Sequence, residues 1–333
     1  MIINVAQIKQ HIVPLCFLTL PCSHGHSNRQ QRLQEIWGPV LDEADVSRLF
    51  FYGINGRATW GNDDGEWRKE DYERFVSLDI LERFSGPRLN NLQPSEVAIT
   101  LGFLNVCAAM IKQKLPYILY MEDDANLFMS FQNDRLVSPS PQCPTLFRTR
   151  LSHILDQLQH VSWDVVRLGG IFSSGCEQLL GTWEHGLTFC KTGFCLGGHG
   201  LLLSQRAAKT MLQHAFPIKT TIDHALLLSA RTSGLLDFEV IPHIIGQDIL
   251  IRPSESLIGY SLYEEISLKA FLKFNISPAF FMTMILHLNE LEKILLPFVE
   301  HPLLVTFRRF FDNLCLKLKR VNREKRAPDR LKN

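Results

Sequence analysis

The sequence predicts an α/β fold, a mixed, largely parallel sheet flanked by helices, followed by a C-terminal helical extension. Three observations predict it. Short apolar runs of strand length recur between residues 15 and 204. Segments with apolar residues at helical spacing lie between them, and strands alternating with helices build layered α/β domains. Beyond residue 262 the strand pattern stops, and Leu286, Leu288, Leu291, Ile294 and Leu295 crowd together as in helices.

The expected strands are 15–20, 48–52, 117–121, 163–168 and 200–204. Residues 27–37 read as a helix through Leu33, Ile36 and Trp37. Residues 95–113 are the longest apolar helix, with Ser95 as its cap and Glu96 in its first turn, where an acid suits the helix dipole. Residues 205–214 form a short amphipathic helix. Two stretches read as loops, 55–71 from its Gly, Asn and Asp, and 129–145 from Pro139, Pro141 and Pro144. The resulting division is a domain over 1–262, a helical extension over 263–316 and a basic, flexible tail over 317–333.

Composition bounds the function. The chain has 333 residues, 46% hydrophobic and 21% charged, which supports a sizeable core and excludes global disorder. Its 35 basic and 34 acidic residues leave a net charge of +1, which excludes a nucleic-acid binder driven by bulk charge. The 8 cysteines contain no C-x-x-C and no zinc-finger spacing, and Cys190 and Cys195 read as buried thiols. No run of eighteen uncharged apolar residues is present, so no spanning helix is expected. The apolar stretch ending at Leu20 is broken by Pro14 and lacks a small-x-small cleavage site after Pro21, so it reads as a strand rather than a signal peptide. Asn275-Ile276-Ser277 is a lone glycosylation sequon followed by Pro278. The expectation is a soluble or peripheral protein whose compartment stays open. The basic tail reads as a solvated end, with weak contact to an anionic membrane surface as the alternative.

The chemistry concentrates where the strand 117–121 runs into Glu122-Asp123-Asp124. Strand alternation sends neighbouring side chains to opposite faces, so Glu122 and Asp124 converge while Asp123 points away. Ligands of α/β sheets bind beyond the carboxyl ends of strands. Two carboxylates there suit a hard divalent cation, Mn²⁺ or Mg²⁺. A solvated acidic turn is the plain alternative.

Five segments in order widen the context. They are the opening strand with Arg29 and Arg32, Ser95-Glu96, Glu122-Asp123-Asp124, Trp163-Asp164-Val165-Val166-Arg167-Leu168-Gly169, and Gly197-Gly198-His199-Gly200-Leu201-Leu202-Leu203-Ser204 with Ile222-Asp223 beyond. Together they resemble glycosyltransferase family 25, the lipooligosaccharide glycosyltransferases and procollagen galactosyltransferases, over roughly residues 12–260. Residues 28–38 also look like the fringe-like and β3-galactosyltransferase families, which share the GT-A type of fold. The chain departs from the family pattern at Gly102-Phe103, where a Ser-His pair is usual, and at Leu201, where Tyr is usual.

The resemblance implies a Rossmann-like GT-A domain that moves a hexose, galactose or glucose, from a UDP-sugar to an acceptor hydroxyl on a glycan, glycolipid or protein, with Mn²⁺ or Mg²⁺ and with inversion. Asp124 and then Glu122 are the candidate metal ligands, and the resemblance adds Asp123 to the donor site with Glu96 and His199. Arg29 and Arg32 either reach the donor phosphate or base, with Arg29 the candidate, or lie on a solvated helix face. Asp223 either takes the proton from the acceptor or caps the helix 225–230. Asp164 either orients groups or is a strand-edge acid, and His199 either touches a ligand or is a buried structural histidine. Gln247 and Asp248 support the register. Two rival readings stand beside the enzyme. One is a catalytically silent relative that binds glycans or proteins; the other is a phosphoester hydrolase using the same carboxylates.

Overall fold

The computed structural model describes residues 2–20, 27–42, 45–54, 76, 80, 94–127, 130–132, 135–137, 143–170, 172–173, 176–193, 195–218 and 221–247. The chain divides into two units, Met1–Gly259 and Tyr260–Asn333. The loop 55–71, Asp248, the sequon, the helical extension and the basic tail lie outside the described residues.

A central mixed sheet flanked by helices organises the first unit. The strands that matter are β1 (Asn4–Ile8), β2 (His11–Thr19), β3 (Phe50–Tyr52), β4 (Tyr117–Glu122) and β5 (Ala125–Asn126). After them come β6 (Ser130–Gln132), β7 (Arg135–Val137), β8 (Val165–Arg167), β9 (Phe172–Ser173), β10 (Cys176–Trp183), β11 (Leu187–Thr192), β12 (Cys195–Leu196), β13 (Leu201–Ser204), β14 (Asp237–Ile241) and β15 (Gly246–Gln247). The helices are α1 (Ser27–Leu41), α2 (Pro94–Lys112), α3 (Cys143–Leu158), α4 (Gln205–His214) and α5 (Ile222–Ser233).

The nine-stranded sheet runs β1-β2-β4-β13-β8-β14-β11-β10, with β3 beside β2. β2 is parallel to β3 and β4, and β8 to β14. β13 enters antiparallel between β4 and β8, and a β10–β11 hairpin closes one edge antiparallel to β14. Alternation along each strand sorts the core into two layers. Cys16, Leu18, Ile118, Tyr120, Val165, Leu201 and Leu203 pack under α2, α4 and α5. Val13, Leu15, Phe17, Leu119, Met121, Val166 and Leu202 pack under α1 and α3.

Local chemistry explains the element ends. Ser204 caps α4 by accepting from the Ala207 N–H at 3.1 Å. α2 comes close to the sheet because Gly102 offers no side chain; a Cβ there would stand 2.9 Å from Leu18. This contact gives Gly102, where the family resemblance leads one to expect Ser or His, a packing role. α2 starts at Pro94, so Ser95 lies inside its first turn rather than capping it. Among the described residues, one helix, Ser95–Lys112, is long and apolar enough to cross a membrane; it is mostly buried within the core.

Several expectations change. The strand expected at 15–20 is longer and is preceded by β1, whose alternating Asn4-Val5-Ala6-Gln7-Ile8 buries Ala6 and Ile8. The region 129–145 contains a small hairpin, β6–β7, and the start of α3, not a continuous loop. α5 begins at Ile222 with Thr221 as its N-cap, so Asp223 occupies the first turn instead of the cap of a helix 225–230.

Candidate active site

The carboxyl end of β4 delivers three acids into a turn. Period two continues from Ile118 and Tyr120 to Glu122, which is buried on the α2 side. Asp123 turns to the other side. Its Oδ1 accepts from Arg29 Nη1 at 2.5 Å and its Oδ2 from the Thr19 hydroxyl at 3.1 Å. Trp37 Nε1 donates to the Ala125 carbonyl at 3.0 Å and pins α1 to the residue that ends the turn.

β15 pairs with β5 and brings Gln247 against the acids. The Gln247 amide donates to Asp124 Oδ2 at 3.0 Å and Oδ1 at 3.2 Å, and lies 3.5 Å from Glu122 Oε2. Its Oε1 is buried without a hydrogen-bond partner. Glu122 and Asp124 therefore share one amide while Asp123 faces elsewhere, as alternation requires. Burial pushes Glu122 well above the usual carboxylate range; Asp124, Asp223 and Asp123 push the same way, and Arg29 opposes them.

The loop between β12 and β13 forms the adjoining wall. An added Cβ at Gly198 would stand 2.5 Å from Glu122 Oε1, so only glycine lets the backbone approach this carboxylate. Asp223 holds the loop from the first turn of α5. Its Oδ2 accepts from the Gly197 N–H at 3.2 Å, and its Oδ1 from the Thr221 hydroxyl at 2.6 Å and the His224 N–H at 3.0 Å. Burial opposes the charge on Asp223, but the His224 and Thr221 contacts prevail and hold it well below the usual carboxylate range.

The remaining candidates are placed differently. Glu96 is buried in the first turn of α2. Arg32 follows Arg29 on α1 and is half-buried. His199 is fully buried and both its ring nitrogens lack a hydrogen-bond partner. Burial first, then His243, pulls it down to about 3. A side chain this enclosed supports the loop; it does not reach a ligand at the surface. Asp164 stands apart from the acids. It accepts from Arg206 Nη1 at 2.7 Å, the Leu236 N–H at 2.9 Å and the Ser204 hydroxyl at 3.0 Å. Ser204 is level with Tyr117, five residues before Glu122, so Asp164 sits roughly 16 Å along the sheet from the acids. It ties β13, α4 and β14 together.

Glu122 and Asp124 offer hard oxygen donors at one place, beside the Gln247 amide. A small divalent cation commonly binds through one or two carboxylates and completes its shell with water and phosphate, so this set fits Mn²⁺ or Mg²⁺. Sequence reasoning used Gln247 only for register and missed its contact with both acids. It also missed a second polar cluster behind the loop, formed by Arg167, Asp237, Glu239, His243 and Cys195. The alternation of Asp237-Phe238-Glu239-Val240 was the available signal. No family model matches the chain, and no curated protein matches it.

Proposed function

We propose that this chain is a metal-dependent glycosyltransferase of GT-A type, related to family 25, which moves a hexose from a UDP-sugar to a hydroxyl of a glycan, glycolipid or protein. One observation carries the reading: Glu122 and Asp124 meet at Gln247 beyond the carboxyl end of β4 while Asp123 is clamped to Arg29. Two converging carboxylates at a strand end suit a cation shared with a nucleotide-sugar diphosphate. When bound, the ion offsets the negative charge that the departing nucleoside diphosphate gains.

The chain's own groups then have separate tasks. Glu122 and Asp124 would hold the ion, and Gln247 fixes their orientation. Arg29 holds Asp123, which keeps that charge out of the metal position and neutral overall. Asp223 stays ionised and can take the acceptor proton, as a weak base that works as the glycosidic bond breaks. Inversion of the anomeric centre follows from a single displacement assisted by that base.

The silent-relative reading has its own support. Both oxygens of Asp223 already hold donors, which suits a positioning residue. Incubation with UDP-galactose or UDP-glucose, Mn²⁺ and simple glycoside acceptors decides between them. The enzyme reading expects Mn²⁺-dependent release of UDP that Asp124→Asn abolishes. Donor binding without release, across both sugars, would favour the binding module.

A further inference from the structure

The sheet face that carries α2, α4 and α5 changes character beneath β8 and β14. Alternation there points Arg167, Asp237 and Glu239 inward on the face opposite Val166, Phe238 and Val240. Arg167 and Asp237 satisfy one another, with Nε and Nη2 of the guanidinium donating to the carboxylate at 3.0 and 2.9 Å. Glu239, His243 and Cys195 remain as a second group. Their ligand atoms lie within 4.8 Å of one another, and all three are buried. His243 Nε2 is 2.7 Å from Glu239 Oε1.

This group is incompletely satisfied. Glu239 Oε2 and His243 Nδ1 are buried without hydrogen-bond partners. Leaving such polar atoms unmet in the interior costs on the order of 1–3 kcal/mol each, and native proteins seldom tolerate it without a ligand. Consecutive glycines make room for the cluster. A Cβ at Gly170 would stand 2.5 Å from Cys195 Sγ and 2.8 Å from the His243 ring, and one at Gly169 would stand 2.8 Å from His199 Nε2. Glycine is required at 170 for the sulfur and the His243 ring to close on this space.

We propose that Cys195, Glu239 and His243 form a buried zinc site whose fourth position is filled by water. Thiolate, imidazole and carboxylate are the ligand types zinc takes, and the sulfur discriminates against the hard Mn²⁺ or Mg²⁺ that suits Glu122 and Asp124. The ion would replace the thiol proton with a metal–sulfur bond and release that proton to solvent. It would join β14 and the turn at His243 to β12, which leads into the loop Gly197–Gly200, whose Gly198 faces Glu122. A fixed loop is then a condition for a fixed carboxylate. The site is assigned independently of the glycosyltransferase reading.

The test is metal analysis of the purified full chain, followed by cobalt substitution through growth in cobalt-supplemented minimal medium. About one equivalent of zinc per chain is expected after dialysis against a chelator. The cobalt form should show a sulfur-to-metal charge-transfer band in the near ultraviolet together with visible bands of tetrahedral intensity. Asp124→Asn should keep both, since it touches only the hard-cation position. Cys195→Ser should lose the charge-transfer band and at least nine-tenths of the zinc, and His243→Gln should release zinc to chelator at least tenfold faster. Wild-type protein that is folded, holds no stoichiometric zinc and gives no charge-transfer band would overturn the proposal. So would Cys195→Ser with wild-type zinc content. His243→Gln that holds zinc as tightly as wild type would overturn it as well.

Discussion

Gly198→Ala isolates the geometry of the carboxylate site in one methyl group. The backbone at Gly198 is not left-handed, so alanine itself is not strained there. The added Cβ would stand 2.5 Å from Glu122 Oε1, against 3.4 Å for ordinary contact, so the carboxylate must retreat by about 0.9 Å. Metal–oxygen bonds tolerate about 0.2 Å. Displacing a ligand this far should weaken Mn²⁺ binding by roughly 10–100-fold, the range seen when a ligand loses its support. The fold should lose little, about 1 kcal/mol, because the yielding atom is the end of a side chain. Mn²⁺ titration in the presence of saturating UDP, followed by electron paramagnetic resonance of the free ion and paired with urea unfolding, measures both. Gly181→Ala is the control, since its nearest neighbour would be 3.7 Å away. Unchanged Mn²⁺ affinity in a folded Gly198→Ala protein would refute the placement of Glu122 at the metal.

Other perturbations test other parts of the account. Arg167→Met strands Asp237 in the core and should cost about 3–5 kcal/mol in urea unfolding, whereas the double change with Asp237→Leu should recover more than half of it. Asp164→Ala should destabilise by about 2–4 kcal/mol, because three donors lose their acceptor, yet leave Mn²⁺ and UDP affinity unchanged; a lost affinity with intact stability would restore Asp164 to the site. Cys16 and Cys107 are buried and desolvation pushes both thiols far up, so iodoacetamide at pH 8 should leave them unlabelled in the native protein and modify them in urea. Rapid native labelling of either would contradict the packing of α2 on β2.

The sequence displayed the fold best where burial is one-sided or complete. β4 and α2 are long, apolar and bounded by clear signals, and α4 is amphipathic with a serine cap. β1, β14 and the β10–β11 hairpin escaped notice because their strands mix polar and apolar residues, and Cys176–Trp183 carries Glu177, Gln178 and Gly181 at an edge. The site was half legible. Alternation alone separated Asp123 from Glu122 and Asp124. Gln247 was not legible as a partner, because it lies 123 residues from Asp124 and reaches it through a two-residue bridge. Asp164 and His199 show why residue type is insufficient. Both stand in motif-like segments, yet the register of β13 takes Asp164 to the far end of the sheet, and the loop turns His199 inward.

Thermal unfolding of wild type and Asp124→Asn with UDP, with Mn²⁺ and with both tests the central claim most directly. Ligand at about a hundred times its dissociation constant stabilises the native state by about 2.7 kcal/mol. For a domain of this size that raises the midpoint by roughly 5–10 °C. The account predicts such a rise in wild type only when UDP and Mn²⁺ are present together, and none in Asp124→Asn. An equal rise in both proteins, or none in wild type, would contradict it.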